Sequence, residues 1–259
     1  MFADPDAPGI TFDLWRTLIF EFGKKENSAR RRELRAEYAV DYLKRIGESV
    51  EKPVFYDTFN ALSDDITAGH DDGVDKHFGE WIHLGLSRID PELPERIGLI
   101  GLVKVGNAID KAFIDSPPTL IEGSLKILEA IRRRGLGVGL VTNTGLTSGT
   151  AFRYWFEQIG LAGIFHHIAY SNELGIAKPD RLIFDVTLRT LGAPPERALH
   201  VGDNLHTDVA GAAAIGMSTV WVKGDAWPEP KMTAKPDFTI ETVLELPPVI
   251  DQWLESLGS

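Results

Sequence analysis

Two hydrophobic periodicities divide the chain. A short apolar run, Ile10-Thr11-Phe12, reads as a buried strand that ends at Asp13. Apolar positions then recur every three to four residues over four stretches, residues 27–46, 53–68, 74–89 and 94–113. Breakers separate them at Gly47, between Gly69 and Gly73, and at Pro91 and Pro94. This spacing predicts four helices with short connections, a small antiparallel bundle. From Pro117 the pattern alternates. It predicts helices over residues 122–134, 147–158, 180–191 and 208–214, and short apolar strands over 138–141, 167–170, 198–201 and 219–222. Such alternation predicts a parallel sheet with helices on both faces.

The first strand lies near the N-terminus, whereas its sheet partners follow Pro117. The bundle is therefore inserted just after the first strand. The expected fold is α/β, a Rossmann-like parallel sheet with helices on both faces built from residues 1–20 and 117–259, plus an inserted α-helical bundle cap over residues 21–116. In open α/β sheets, ligands bind beyond the carboxyl ends of the strands. The bundle begins at that edge and is placed to act as a lid.

Charge and composition narrow the partners. A net charge of −11 repels phosphate backbones and acidic lipid, which argues against nucleic acid and membrane. The absence of cysteine removes disulfides, thiolate metal sites and cysteine nucleophiles together. The N-terminal stretch carries Asp4 and Asp6 and no cationic lead into an apolar segment, so no signal peptide is expected. No apolar run approaches the ~20 residues that span a bilayer, and a cytoplasmic enzyme is the expectation. The arginines Arg30, Arg31, Arg32 and Arg35, on the first cap helix, are expected to form a solvated face, with a substrate-binding patch as the alternative.

Four clusters at strand ends or helix starts carry candidate chemistry: Phe12-Asp13-Leu14-Trp15-Arg16-Thr17-Leu18, Leu140-Val141-Thr142-Asn143-Thr144-Gly145, Ala177-Lys178-Pro179-Asp180, and His200-Val201-Gly202-Asp203-Asn204 with Asp208 beyond. Each alone is weak, since an aspartate ending a strand is usually a cap. In this order and context they resemble the nucleophile loop, strand-end Thr, Lys-Pro element and acidic metal loop of the haloacid dehalogenase-like (HAD) hydrolases. The likeness covers residues 10–20 and 117–240, and the inserted bundle is similar in place to the helical-bundle (C1) caps.

The resemblance implies a hydrolase with Asp13 as nucleophile, Thr142 and Lys178 as further catalytic residues, and Asn143 and Arg16 at the substrate. It implies a magnesium ion held by Asp13, the Trp15 carbonyl, Asp203 and Asp208, and a small phosphorylated molecule as substrate. The chemistry suits these residue types. A carboxylate can attack phosphorus to give an acyl phosphate, a hard divalent cation offsets the repulsion between the two anions, and Lys178, Thr142 and the Asn143 N–H supply charge and hydrogen bonds to the transferring group.

Two positions depart from the family pattern. Trp15 stands where its phosphatases usually carry a second aspartate, the general acid that protonates the leaving oxygen. Arg16 replaces a usual glycine, which implies either an ordinary backbone angle or strain. Three alternatives follow: a 2-haloacid dehalogenase, which also has an aromatic residue there but lacks an acidic metal loop; a phosphonate-cleaving enzyme, with Lys76 or Lys104 as a cap lysine; or a catalytically weak ligand-binding or regulatory protein on this fold. The cap histidines His70, His77 and His83 titrate near neutrality, yet surface or packing roles are expected for them, and packing for Trp81 and Trp155.

Overall fold

The computed structural model describes residues 7–21, 26–224 and 234–258; the acidic N-terminus with Asp4 and Asp6 lies outside these residues. The chain runs through β1 (Gly9–Phe12), β2 (Ile19–Phe20), α1 (Glu26–Arg45), α2 (Lys52–Asp71), α3 (Phe78–Ile89), α4 (Leu93–Asp115) and β3 (Thr119–Leu120). It continues with α5 (Ser124–Arg133), β4 (Gly137–Thr142), α6 (Gly149–Gln158), β5 (His167–Tyr170), α7 (Ser171–Leu174), α8 (Arg181–Leu191), β6 (Ala198–Gly202), α9 (Gly211–Ala213), β7 (Ser218–Val222), β8 (Phe238–Ile240) and α10 (Leu246–Leu257).

The sheet order is β5-β4-β1-β6-β7-β8, with every pairing parallel. This is the Rossmann-like α/β arrangement read from the alternation. Strands buried on both faces explain the continuous apolar runs. One face packs Ile10, Phe12, Leu140 and Val201 against Ile127 and Ile131 of α5, Phe152 and Phe156 of α6, and Ile250 and Trp253 of α10. The other packs Val141 and Ala169 against Ile183, Phe184 and Leu188 of α8.

The first four helices bury an apolar core of their own. Phe55 and Phe59 stack at 4.1 Å between ring centroids, and Leu62, Ile66, Ile82, Leu86 and Ile109 close around them. The expectation of one continuous last cap helix is corrected at Gly98. There the backbone takes φ 64° and ψ −177°, which breaks α4 into two helical segments; only glycine adopts that region at little cost. Where the chain leaves the sheet and returns, β2 and β3 pair antiparallel, Ile19 with Leu120 and Phe20 with Thr119. Both strands are two residues long, too short for a periodicity to reveal.

The expectation of a solvated arginine face fails for half of its members. Arg30 and Arg32 are exposed, but Arg31 and Arg35 are each only 8% exposed. Arg31 donates from Nε to the Ser116 carbonyl at 2.9 Å and pairs with Glu21 at 2.8 Å. Its guanidinium also lies over the rings of Trp15 and Phe113. These partners are distant in sequence, so helical periodicity had no means of finding them. Among the described residues, no helix is long and apolar enough to cross a membrane.

Candidate active site

A parallel sheet places all its strand C-termini along one edge. Since β1 lies between β4 and β6, the loops after these three strands meet there. Phe12 is level with Leu140 and Val201, and the Asp13 N–H donates to the Val201 carbonyl at 2.8 Å.

Lys178 draws two of the loops together. Its Nζ donates to Asp13 Oδ1 and to Asp208 Oδ1, each at 2.6 Å, and its side chain is 1% exposed. The β4 loop fixes this lysine. The Lys178 N–H donates to Asn143 Oδ1 at 2.8 Å, and Asn143 Nδ2 donates to the Lys178 carbonyl at 3.0 Å. The Asn143 side chain is thus committed to placing Lys178. Thr142 is buried at the end of β4, its hydroxyl 3.4 Å from the Asn143 carbonyl.

Asp208 lies in a π-helical turn, Leu205–Ala210, and not in the α-helix predicted over residues 208–214. Asn204 caps that turn by accepting from the N–H groups of His206 and Thr207. Asp208 Oδ2 accepts from the Asn204 N–H at 2.9 Å. A side chain at Gly202 would not fit, because a Cβ there would lie 2.3 Å from Asp208 Cγ.

Asp13, Asp203 and Asp208 each offer an oxygen, and these atoms lie within 4.8 Å of one another. Three carboxylates face two cationic groups, Lys178 and Arg16, the latter 3.5 Å from Asp203 through Nε. Burial pushes the Asp203 carboxyl up to about 8, and the charges of Asp13 and Asp208 add to the rise. Burial lifts Asp13 to about 6 against the pull of Lys178. Burial also opposes ionisation of Asp208, yet Lys178 and His200 outweigh it and hold that carboxyl below its usual range. For Lys178, burial is outweighed by Asp13 and Asp208, which keep it protonated. Beyond burial, the crowding of like charges raises Asp13 and Asp203, and a divalent cation would relieve it; three hard oxygen donors form a set that fits a magnesium ion.

The hydrogen bonds flanking Trp15 use the carbonyls of its neighbours. Ile19 N–H donates to Leu14 O and Arg16 N–H to Ile19 O, so the Trp15 carbonyl is not spent on either. The Trp15 ring packs edge-on to Phe152 at 6.5 Å. Arg16 has φ 61°, the left-handed backbone that glycine would take without strain.

His200 and Thr11 are the site residues that the sequence reading gave no role. They are level across β1 and β6. His200 Nδ1 lies 2.8 Å from Thr11 Oγ1 and its Nε2 lies 3.2 Å from Asp208 Oδ1. Burial lowers the His200 pKa. A neutral ring then donates from Nε2 to Asp208 and accepts the Thr11 hydroxyl at Nδ1. A polar residue at each of two paired, otherwise apolar strand positions was the available signal.

The cap reaches this edge through the α2–α3 connection. His206 Nε2 bonds the Asp71 carbonyl at 2.8 Å, and the Ala177 N–H donates to Gly73 O at 3.0 Å. The three cap histidines have local partners. His70 bonds Asp75 at 3.1 Å, His77 caps α3, and His83 bonds Ser87. Trp81 and Trp155 are buried, as expected. Lys76 lies over the Trp81 ring, and Lys104 is exposed.

A family model described as haloacid dehalogenase-like hydrolase matches residues 9–216. A glyceraldehyde 3-phosphate phosphatase of Pyrococcus furiosus is 26% identical over 96% of this chain and 94% of that protein. A protein of the same name from Methanopyrus kandleri is 34% identical, over 54% of this chain and 57% of its own length. Among solved structures, a 2-haloacid dehalogenase from Pseudomonas syringae shares the fold with a TM-score of 0.67 and 21% identity, over 95% of this chain and 99% of that one.

Proposed function

Because this chain belongs to the haloacid dehalogenase-like hydrolase family, we propose that it is a phosphatase that cleaves a small phosphorylated metabolite in the cytoplasm, through an aspartyl-phosphate on Asp13. In this reading residues 1–20 and 117–259 form the catalytic unit and residues 21–116 the inserted cap. The observation that carries the proposal is the meeting of Lys178 with Asp13 and Asp208 while Asp203 closes the acidic triad.

Asp13, Asp203, Asp208 and the Trp15 carbonyl would hold Mg2+. When bound, the ion supplies the positive charge that lets an anionic nucleophile approach an anionic phosphate. A carboxylate oxygen of Asp13 attacks phosphorus, the ester P–O bond breaks, and the leaving oxygen departs with its electron pair. Lys178 steadies the charge on the transferring group, and the Thr142 hydroxyl and Asn143 N–H donate to its oxygens. Water then hydrolyses the acyl phosphate, which frees phosphate and restores Asp13.

Trp15 cannot protonate the leaving oxygen, and that help is worth roughly 10²–10⁴-fold. Leaving groups that depart unprotonated, such as a nitrophenolate or the carboxylate of an acyl phosphate, are therefore favoured. A dehalogenase would fit Trp15, but it would have no use for Asp203 and Asp208 as ion ligands. Phosphonate cleavage would draw on a cap lysine, whereas Lys76 is engaged with Trp81 and Lys104 faces solvent.

The test is hydrolysis of p-nitrophenyl phosphate and acetyl phosphate, with magnesium and with EDTA, beside Asp13→Asn. Magnesium-dependent release of phosphate that the variant abolishes is the expected result. Chloride release from a 2-chloro acid without metal would overturn the proposal.

A further inference from the structure

The buried arginines of α1 line a cavity of about 250 Å³ between α1 and α2. Arg31, Arg32 and Arg35 form one wall, and Asn60, Ser63 and the exposed Asp64 contribute to the other, so three cations face one carboxylate. Arg31 Nη2 and Arg35 Nε are buried without a hydrogen-bond partner among the described residues. Arg35 has a single long contact, from Nη2 to the Leu146 carbonyl at 3.5 Å. A buried guanidinium with unmet donors is costly unless an acceptor fills the space.

Among the described residues, no carboxylate supplies that acceptor to Arg35, on which Asp110 acts only through its charge. Glu21 takes up the charge of Arg31 through Nη1 and holds its own Oε2 buried without a partner among these residues, so the unmet demand rests chiefly on Arg35. Asp110 accepts from the Ser148 N–H and hydroxyl, and Asp64 is exposed. No carboxylate lies within 4.0 Å of Arg35 or Arg32 among the described residues. Burial pulls the Arg35 pKa down to about 10, and the like charges of Arg31 and Arg32 pull with it. The charges of Arg35 and Arg32 remain available to an anion, and Arg31 adds the free donor at Nη2.

The cavity's position points toward the catalytic loops. Arg31 lies 5.9 Å from the Trp15 ring centroid, and Arg35 touches Leu146, four residues beyond Thr142. The antiparallel partner α2 ends at Asp71, which bonds His206 of the acidic loop.

We propose that this cavity is an oxyanion site, in which Arg35 and Arg31 hold a carboxylate or second phosphate belonging to the substrate. The substrate class is then a phosphoester with a second anionic group. This assignment of class rests on the phosphatase reading above; the existence of the site does not. The volume admits one oxyanion with a few waters, at about 30 Å³ each, and guanidinium forks match planar or tetrahedral oxyanions.

Titration of the full chain in EDTA with sodium sulfate, followed by NMR of the arginine Nε–Hε groups, tests the site without turnover. Without metal, the acidic triad repels sulfate. Saturable shifts at Arg31 and Arg35, absent with sodium chloride at equal ionic strength, are expected, and Arg35→Gln removes the saturation at Arg31. No saturable shift, or the same shift with chloride, overturns the site.

Kinetics with magnesium test the substrate class. Arg35→Gln should raise KM for a phosphorylated carboxylic acid about tenfold more than for p-nitrophenyl phosphate, the loss expected for one charge-assisted hydrogen bond. Arg35→Lys should recover part of that difference. Sulfate saturation with equal KM changes for the two substrates assigns the site to a free oxyanion and overturns the substrate class. If neither substrate turns over, the phosphatase reading fails while the titration still decides the site.

Discussion

Replacing Lys178 by methionine keeps most of its volume and removes a charge that two buried carboxylates depend on. The side chains of Asp13 and Asp208 are 8% and 2% exposed, and each has an oxygen 2.6 Å from Nζ. Removing one partner of a buried ion pair costs about 3–5 kcal/mol, because the other charge is left uncompensated. Protonation of Asp13 would limit the penalty, at about 1.4 kcal/mol per pH unit between the ambient pH and its pKa. For a chain of this length each kcal/mol moves the melting temperature by roughly 2–4 °C. Lys178→Met should therefore melt roughly 6–20 °C below the parent protein in EDTA at neutral pH. A magnesium ion would replace part of the missing positive charge, so millimolar magnesium should recover a larger share of stability in the variant than it adds to the parent. Turnover should fall by about 10²–10³-fold even with magnesium, since in the proposed mechanism the ammonium also steadies the transferring group. Differential scanning fluorimetry with and without magnesium, beside phosphate release, measures all three effects. A variant that melts with the parent in EDTA would refute the premise that Lys178 offsets those carboxylates. Destabilisation that magnesium leaves untouched would refute a shared ion site.

Three further outcomes follow from the same geometry. Arg16→Gly should relieve left-handed backbone strain of about 1 kcal/mol and lose a partly exposed ion pair worth about 0–1 kcal/mol. Urea denaturation should show equal or higher stability, and a loss above 1 kcal/mol would mean the Asp203 contact outweighs the strain. Gly202→Ala places a methyl against Asp208 and should cost about 1–3 kcal/mol together with magnesium-dependent turnover; a fully active variant would show that the turn has room. Asp203 has its folded pKa raised, so the stability contributed by its neutral form is present in acid and lost as pH rises through about 8. Melting in EDTA should decline across that window, and magnesium should flatten the decline by binding the ionised site; a profile that magnesium leaves unchanged would count against the site.

Much of the fold was legible because it rests on local pattern. His167–Tyr170 is the strand that the apolar run predicted, and α2 and α8 begin and end within a few residues of their breakers. The four chemical clusters were recognisable because their residue types and order resemble the family's motifs, and the parallel sheet explains why the three that follow β1, β4 and β6 meet at one edge. Elements without a local signature were missed. The strands β2 and β3 are too short, β8 and α10 lie past the last predicted strand, and the π turn at Leu205–Ala210 forms around the Asn204 cap and the seating of Asp208.

The sequence by itself determined the alternation of strands and helices, the helical insertion after the first strand, and the residue types at the catalytic edge. Tertiary structure alone decided that Arg31 and Arg35 turn inward, that Asn143 spends its side chain on Lys178, and that His200 and Thr11 support Asp208. Periodicity records which face of an element is apolar. Whether a charged side chain on it is buried depends on partners as remote as Ser116 and Leu146, which only the folded chain brings within reach.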